Sequence, residues 1–239
     1  MNRVDILGVR FDPVMLDEAV ERALALMARR GAYVCTPNPE MIRRCRKDPA
    51  LMEAVNAADL VLPDGVGVLW AARRFGTPLP ERVPGVDFAS ELMRRMRGSV
   101  YILGGRPGVA EKAAENLAAA YPHLTVVGAR DGFFSDELAL TAELGETRPD
   151  LLIVCLGMEK QELWMAAHRD LPVGLMAGLG GTVDVLAGTA QRAPVRWQKL
   201  GLEWLYRLLR EPTRFRRQLS LAAYVWDVIK RKQTWHKEN

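Results

Sequence analysis

Short apolar runs bounded by turn residues alternate with helix-spaced patterns as far as about residue 190. The runs Ala32–Cys35, Leu60–Leu62, Val100–Leu103, Thr125–Val127, Leu151–Cys155 and Val173–Met176, with an N-terminal segment Val4–Val9, predict strands. Between them, residues 16–30 place Ala19, Ala23, Leu26 and Met27 on one helical face, and residues 108–121 are rich in strong helix formers. Such alternation predicts the α/β class: a Rossmann-like, mostly parallel sheet with helices on both faces. No internal repeat and no low-complexity linker interrupts it.

Small and polar residues follow nearly every predicted strand. They are Thr36–Glu40 ("TPNPE"), Pro63–Gly67 ("PDGVG"), Gly104–Gly108 ("GGRPG"), Gly128–Phe134 ("GARDGFF"), Leu156–Glu162 ("LGMEKQE") and Ala177–Asp184 ("AGLGGTVD"). In a parallel sheet these turns share the carboxyl edge, where ligands of open α/β sheets bind. Helix N-termini point into the same crevice and favour an anion such as a nucleotide diphosphate. Neither a P-loop nor an N-terminal Gly-x-Gly-x-x-Gly occurs, which argues against ATP-dependent phosphoryl transfer and a dinucleotide dehydrogenase.

Asp64 ends the run "LVLPDGVG". A carboxylate behind an apolar strand is costly unless paired, hydrogen-bonded or used, so Asp64 reads as either a helix cap or a catalytic base. Thr36 and Asn38 follow the preceding strand and are expected to face the same crevice and its ligand, Asn38 alternatively as a cap behind Pro39. Gly104, Gly105 and Gly181 let backbone amides approach a ligand. Asp184 offers an acceptor for ribose hydroxyls and Phe133 or Phe134 a wall for a base, with a cap or surface acid and core aromatics as the respective alternatives.

Charge divides the chain. Residues 192–239 hold 12 Lys/Arg against 4 Asp/Glu and four of the six tryptophans, while residues 1–191 hold 21 against 25. The expected organisation is therefore a ligand-binding body, 1–191, and a basic, Trp-rich helical appendage, 192–239, that meets something anionic. A first tail helix is expected to stop before Pro212 and a second to start near Thr213. The second carries Phe215, Leu219, Ala222, Trp226 and Ile229 on one stripe beside basic residues, a pattern that suits an anionic membrane surface or packing on the body. Three cysteines without a Cys-x-x-Cys pair argue against zinc. With no signal-peptide core and no run of about 18 apolar residues, the chain is expected to be cytoplasmic and at most peripheral on the membrane.

Taken in order, "TPNPE", "LPDGVG", "ERVPGVD" (81–87), "ILGG" (102–105), "DGFF" (131–134), "GMEKQE" (157–162), "GLGGTVDVLAG" (178–188), "RAP" (192–194) and "GLEWLYRLLREPTRFRR" (201–217) resemble the TagA/WecG/CpsF family of bacterial glycosyltransferases over almost the whole chain. One departure is Glu159, which stands where the family's Gly-x-Pro-x-Gln-Glu block has proline. The resemblance implies an inverting, metal-independent transferase that moves N-acetylmannosamine, or its uronic acid, from UDP to undecaprenyl-diphosphate-linked N-acetylglucosamine. It places the base at Asp64, puts Arg82 and Gln161 near the substrate, and matches Arg207, Arg214 and Arg217 to arginines that meet the leaving diphosphate. No cofactor and no metal is expected, and no Asp-x-Asp motif occurs. Rival readings are an NAD(P)-dependent oxidoreductase and a non-enzymatic protein that binds an anionic surface. No nucleic-acid partner is expected from an acidic-leaning body, and the apolar tail leaves a homo-oligomer open.

Overall fold

The computed structural model describes residues 2–194, 196, 197, 203–210 and 215–238, with the side chains of 204, 207, 210, 215–219 and 232–238 outside that set. The strands are β1 (Val4–Ile6), β2 (Val9–Phe11), β3 (Ala32–Cys35), β4 (Leu60–Val61), β5 (Gly98–Gly104), β6 (Leu124–Arg130), β7 (Leu151–Cys155) and β8 (Leu175–Gly178). Helices of the body are α1 (Leu16–Met27), α2 (Pro39–Cys45), α3 (Pro49–Asn56), α4 (Val66–Arg74), α5 (Gly85–Arg95), α6 (Val109–Ala120), α7 (Glu137–Thr147), α8 (Lys160–Ala167) and α9 (Thr182–Leu186). Two tail helices follow, here α10 (Glu203–Arg210) and α11 (Phe215–Glu238).

Six strands form one sheet in the order β4-β3-β8-β7-β5-β6, every pair parallel. All residues of β3, β7 and β8 are buried, as strands covered on both faces must be. One core joins α1, α5, α6 and α9 to the sheet face of Val34, Ile102, Ile153 and Ala177. A second joins α2, α3, α4, α7 and α8 to the face of Tyr33, Val61, Leu152 and Met176. The fold is therefore the α/β arrangement that the alternating pattern predicts. The polar turns leave the sheet at its carboxyl edge, but three strands run further than expected: Gly104 belongs to β5, Gly128–Arg130 to β6 and Ala177–Gly178 to β8.

The N-terminal segment differs from the single strand expected over Val4–Val9. It is an antiparallel hairpin outside the main sheet. Leu7 (φ 57°) and Gly8 (φ 98°) take the left-handed geometry of a two-residue turn, and Gly8 N donates to Asp5 Oδ1 at 3.1 Å. Just beyond it, Asp12 N donates to Val61 O (2.9 Å) and Asp12 Oδ2 accepts from Val61 N (2.8 Å), closing the exposed edge of β4.

The tail is joined to the body by packing. Tyr224 and Val228 of α11 are buried in the second core, and Arg43 of α2 and Arg46 just after it pair with Asp227. Of the expected apolar stripe, Ala222 and Trp226 are exposed and Ile229 is half-buried, so it lies away from the buried Tyr224 and Val228. The side chains of Phe215 and Leu219 lie outside the described residues. Among its described side chains, one helix thus packs through one face and offers solvent Trp226 and Lys230 on the other. Among the described residues no helix is long and apolar enough to cross a membrane.

Candidate active site

The position of Asp64 follows from its neighbours. β4 ends after two residues; Leu62 N still reaches Cys35 O at 2.8 Å, and Pro63, with no N–H, cannot extend the ladder. Gly65 (φ 109°) then turns the chain into α4. Gly65, rather than Asp64, occupies the N-cap position of α4. Asp64 N points back to Pro37 O (3.4 Å), tying it to the turn after β3. A side chain at Gly67 would collide with Pro39, and Tyr224 Oη donates to Gly67 O at 3.2 Å. The first turn of α4 is therefore wedged between α2 and α11, and the half-buried Asp64 precedes a fixed support.

Thr36 lies on the neighbouring turn, its hydroxyl donating to Gly178 O of β8 at 3.0 Å. Asn38 caps α2: its Oδ1 accepts from Met41 N at 3.0 Å, so its amide nitrogen is the end left for a ligand. The stretch that carries Arg82 is tied to the Asp64 turn by Val83 N, which donates to Pro63 O at 2.9 Å. The Arg82 guanidinium meets Glu203 of α10 at 3.4 Å, a bond between body and tail.

Gln161 is buried rather than at the surface. Its Oε1 accepts from Gly180 N (3.2 Å) and its Nε2 donates to Glu162 Oε1 (2.7 Å). Glu162 Oε2 accepts from Glu159 N (2.9 Å), so one carboxylate locks the turn after β7 and, through Gln161, the turn after β8. Burial pushes the Glu162 carboxyl up to about 7, against opposing hydrogen bonds. Glu159 occupies the proline position of the resembled block with φ 73°, which proline cannot adopt. Its side chain caps α8 and reaches Arg44 of α2 at 2.5 Å. This departure therefore changes the backbone geometry of the turn while keeping the Gln-Glu pair.

The turns after β5, β6 and β8 are shaped by close backbone contact. Gly104 (φ 132°) lies against the Cys155 carbonyl, where any β-carbon would collide. Gly105 N donates to Cys155 O (3.2 Å) and Gly105 O accepts from Gly132 N (2.9 Å), while Val183 faces Gly105. Gly181 holds the N-cap of α9, and Asp184 lies in its first turn with Thr189 Oγ1 donating to its Oδ1 at 3.5 Å. Phe133 is 72% exposed on this rim, whereas Phe134 packs on the core under Lys160, whose Nζ lies 5.0 Å from the ring centre. Arg214 lies outside the described residues, as do the side chains of Arg207 and Arg217.

Three charged residues absent from the sequence-derived site complete the rim. Arg192 grips Asp87 of α5 (2.5 and 2.6 Å), and Glu203 takes Arg82. Each lies inside a block of the motif series, "RAP", "ERVPGVD" and "GLEWLYRLL", so the signal was present without the pairing that explains it. Among the described residues no three His, Cys, Asp or Glu side chains gather as metal ligands.

A family model described as "Glycosyl transferase WecG/TagA/CpsF family" matches residues 4–238. Curated relatives named N-acetylglucosaminyldiphosphoundecaprenol N-acetyl-beta-D-mannosaminyltransferase include one from Bacillus spizizenii, 33% identical over 84% of this chain and 80% of the relative. Another, from Bacillus subtilis, is 31% identical over 84% of this chain and 80% of its own. A third, from Staphylococcus aureus, is 30% identical over 97% of this chain and 94% of its own. With its sheet, its rim and the series of motifs in register along nearly its full length, the chain belongs to the WecG/TagA/CpsF family of glycosyl transferases.

Proposed function

We propose that the protein transfers N-acetylmannosamine, or its uronic acid, from UDP to N-acetylglucosaminyl-diphosphoundecaprenol, in synthesis of a cell-wall or surface polysaccharide of the wall teichoic acid type. The observation that carries this reading is the family match across residues 4–238 together with one carboxylate, Asp64, placed between the turn after β3 and the arginine-bearing segment before α5.

The step balances as follows. The acceptor hydroxyl oxygen attacks the anomeric carbon as Asp64 takes its proton. The bond from that carbon to the diphosphate oxygen breaks with its electron pair, so UDP departs and the anomeric centre inverts. General-base assistance of this kind contributes about 10²–10⁴-fold. Thr36 and Asn38 flank the sugar, Arg82 and Gln161 hold the rim around it, and Gly104, Gly105, Phe133, Gly181 and Asp184 line the uridine side. Arg207, Arg214 and Arg217 neutralise the departing diphosphate through charge-assisted hydrogen bonds, a task that metal-dependent transferases give to a divalent ion.

On this reading the protein works peripherally on the cytoplasmic membrane face. The exposed Trp226 and the basic residues of α11 rest on anionic headgroups, each Lys or Arg contributing about 1 kcal/mol. The tail then closes the donor pocket and tethers it to the leaflet that holds the acceptor. The test is UDP release from UDP-N-acetylmannosamine and a lipid-diphosphate N-acetylglucosamine analogue, with and without EDTA. Acceptor-dependent release at the same rate under chelation supports the reading; no release, or release abolished by EDTA, overturns it.

A further inference from the structure

Gln161 and Glu162 stand in the first turn of α8, and both are buried although polar. Such groups are tolerated inside a fold when each donor meets an acceptor, and here the pairing runs in one direction. Gly180 N can only donate, and Gln161 Oε1 receives it at 3.2 Å. Gln161 Nε2 then turns to Glu162 Oε1 at 2.7 Å, and Glu162 Oε2 receives Glu159 N at 2.9 Å. An ionised carboxylate only accepts, so Glu162 decides which end of the Gln161 amide faces Gly180. Glu159 belongs to the same arrangement, since the proline of the resembled block would bring no N–H to Glu162.

The amide is confined in space as well. Gly178 sits against it, and a β-carbon there would lie 3.2 Å from Gln161 Nε2 and 2.6 Å from Met165 Cε.

The turn after β8 hangs on this series of bonds. Gly178 pairs in register with Val154, and Leu179 N donates to Val154 O at 3.0 Å, so the sheet governs the chain that far. Thr182 N and its hydroxyl fold back on Leu179 O at 3.1 and 2.8 Å. Between them Gly180, at φ 53°, gives its N–H to Gln161. Gly181, the N-cap of α9, follows directly, and Asp184 lies one turn on.

We propose that Glu162 is a positioning residue: by orienting the Gln161 amide it holds the Gly180–Gly181 turn in the form that binds the UDP part of the donor. The inference rests on the reading of Gly181 and Asp184 as the uridine side of the pocket. Neither Glu162 nor Gln161 has to touch the donor for this role.

An amide of the same shape at 162 cannot satisfy both neighbours. In Glu162→Gln the new nitrogen meets Glu159 N or Gln161 Nε2, donor against donor. Either the turn after β7 gives way and Gln161 moves with it, or Gln161 turns over and sets its nitrogen against Gly180 N. Gln161→Glu alone opposes two carboxylates, acceptor against acceptor. Exchanging the two residues removes both conflicts. The carboxylate at 161 then accepts from Gly180 N and from the amide at 162, whose oxygen accepts from Glu159 N.

The test is calorimetric titration of the full-length protein with UDP, above the Glu162 titration near 7, for wild type, E162Q, Q161E and the Q161E/E162Q double variant. Each single change is expected to weaken UDP binding by about tenfold, the effect of one unsatisfied buried group. The double variant should bind more tightly than either. With UDP-N-acetylmannosamine and the lipid-diphosphate acceptor analogue, donor KM should rise in the single variants while acceptor KM stays in place. E162Q that binds UDP as wild type does overturns the inference. So does a double variant as weak as the singles, the result that direct contact between Gln161 and UDP would give. A parallel rise in acceptor KM marks a general loosening of the sheet edge and overturns it too. Should the single variants fail to fold, the double variant carries the test: affinity near wild type supports the inference, and a loss of about tenfold or more overturns it. A wild-type protein without affinity for UDP removes the reading of the Gly181 and Asp184 side itself.

Discussion

Two halves of the same sheet edge are built by different means. Around β3 and β4 the rim is charged: Asp64, Arg82, Asp87, Arg192 and Glu203 come from four stretches of the chain, and their pairing crosses from body to tail. Around β5, β6 and β8 the rim is made of backbone: Gly104 lies against the Cys155 carbonyl where a β-carbon would collide, Gly105 N donates to Cys155 O, and Gly132 N donates to Gly105 O. Charge placed by ion pairs suits a group that must move a proton, and bare amides suit the close approach of a phosphate or sugar. The turn after β8 joins the halves, touching Thr36 through Gly178, Gln161 through Gly180 and Gly105 through Val183.

This division makes the halves fail differently. The largest effect is expected from Asp64→Asn, a fall in turnover of about 10²–10⁴ with the fold intact, read by UDP release. Next comes Gly104→Ala on the backbone side: with φ 132° and the Cys155 carbonyl in the way, the variant should lose about 3 kcal/mol or more and melt well below wild type. A smaller effect is expected from Glu203→Gln, about tenfold in kcat/KM with little change in melting temperature, because Arg82 then loses its partner on the tail.

Glu162 supplies a pH-dependent comparison. Its folded carboxyl, near 7, binds protons more tightly than an unfolded one at 4.5, so the stability it contributes is full below about 4.5 and is lost as pH rises toward 7. That difference amounts to about 3 kcal/mol. The melting temperature of wild type should therefore fall between pH 5 and 7.5 relative to Glu162→Gln, and parallel curves would contradict it. The smallest effect is expected from Phe133→Ala, an exposed side chain: a few-fold rise in KM for the donor and no change in melting.

What could be read along the chain and what could not divides on the same line. The central strands are legible because burial on both faces demands unbroken apolar runs such as Leu151–Cys155. The polar turns are legible because glycine and proline mark them. Strand edges were harder: β8 begins at Leu175 rather than Val173, because Gly174 N turns aside to Pro149 O. The hairpin at Leu7–Gly8 has a weak signal in the chain, since its turn breaks an apolar segment with a single glycine. At the site, Asp64, Thr36 and Gln161 announce themselves by polar character beside strands. Asp87, Arg192 and Glu203 do not, since their meaning lies in pairings across 105 residues of chain in one case and 121 in the other. Asn38 shows the reverse, a residue whose local capping role was readable at once from the proline that follows it.

The central claim is that Asp64 removes the acceptor's proton without binding the donor. It is tested most directly by measuring, on the same Asp64→Asn protein in EDTA, both the Kd for the UDP-sugar and the rate of acceptor-dependent UDP release. The account expects an unchanged Kd with release lowered by at least about a hundredfold. Release within tenfold of wild type, or a loss explained wholly by weaker donor binding, would contradict it.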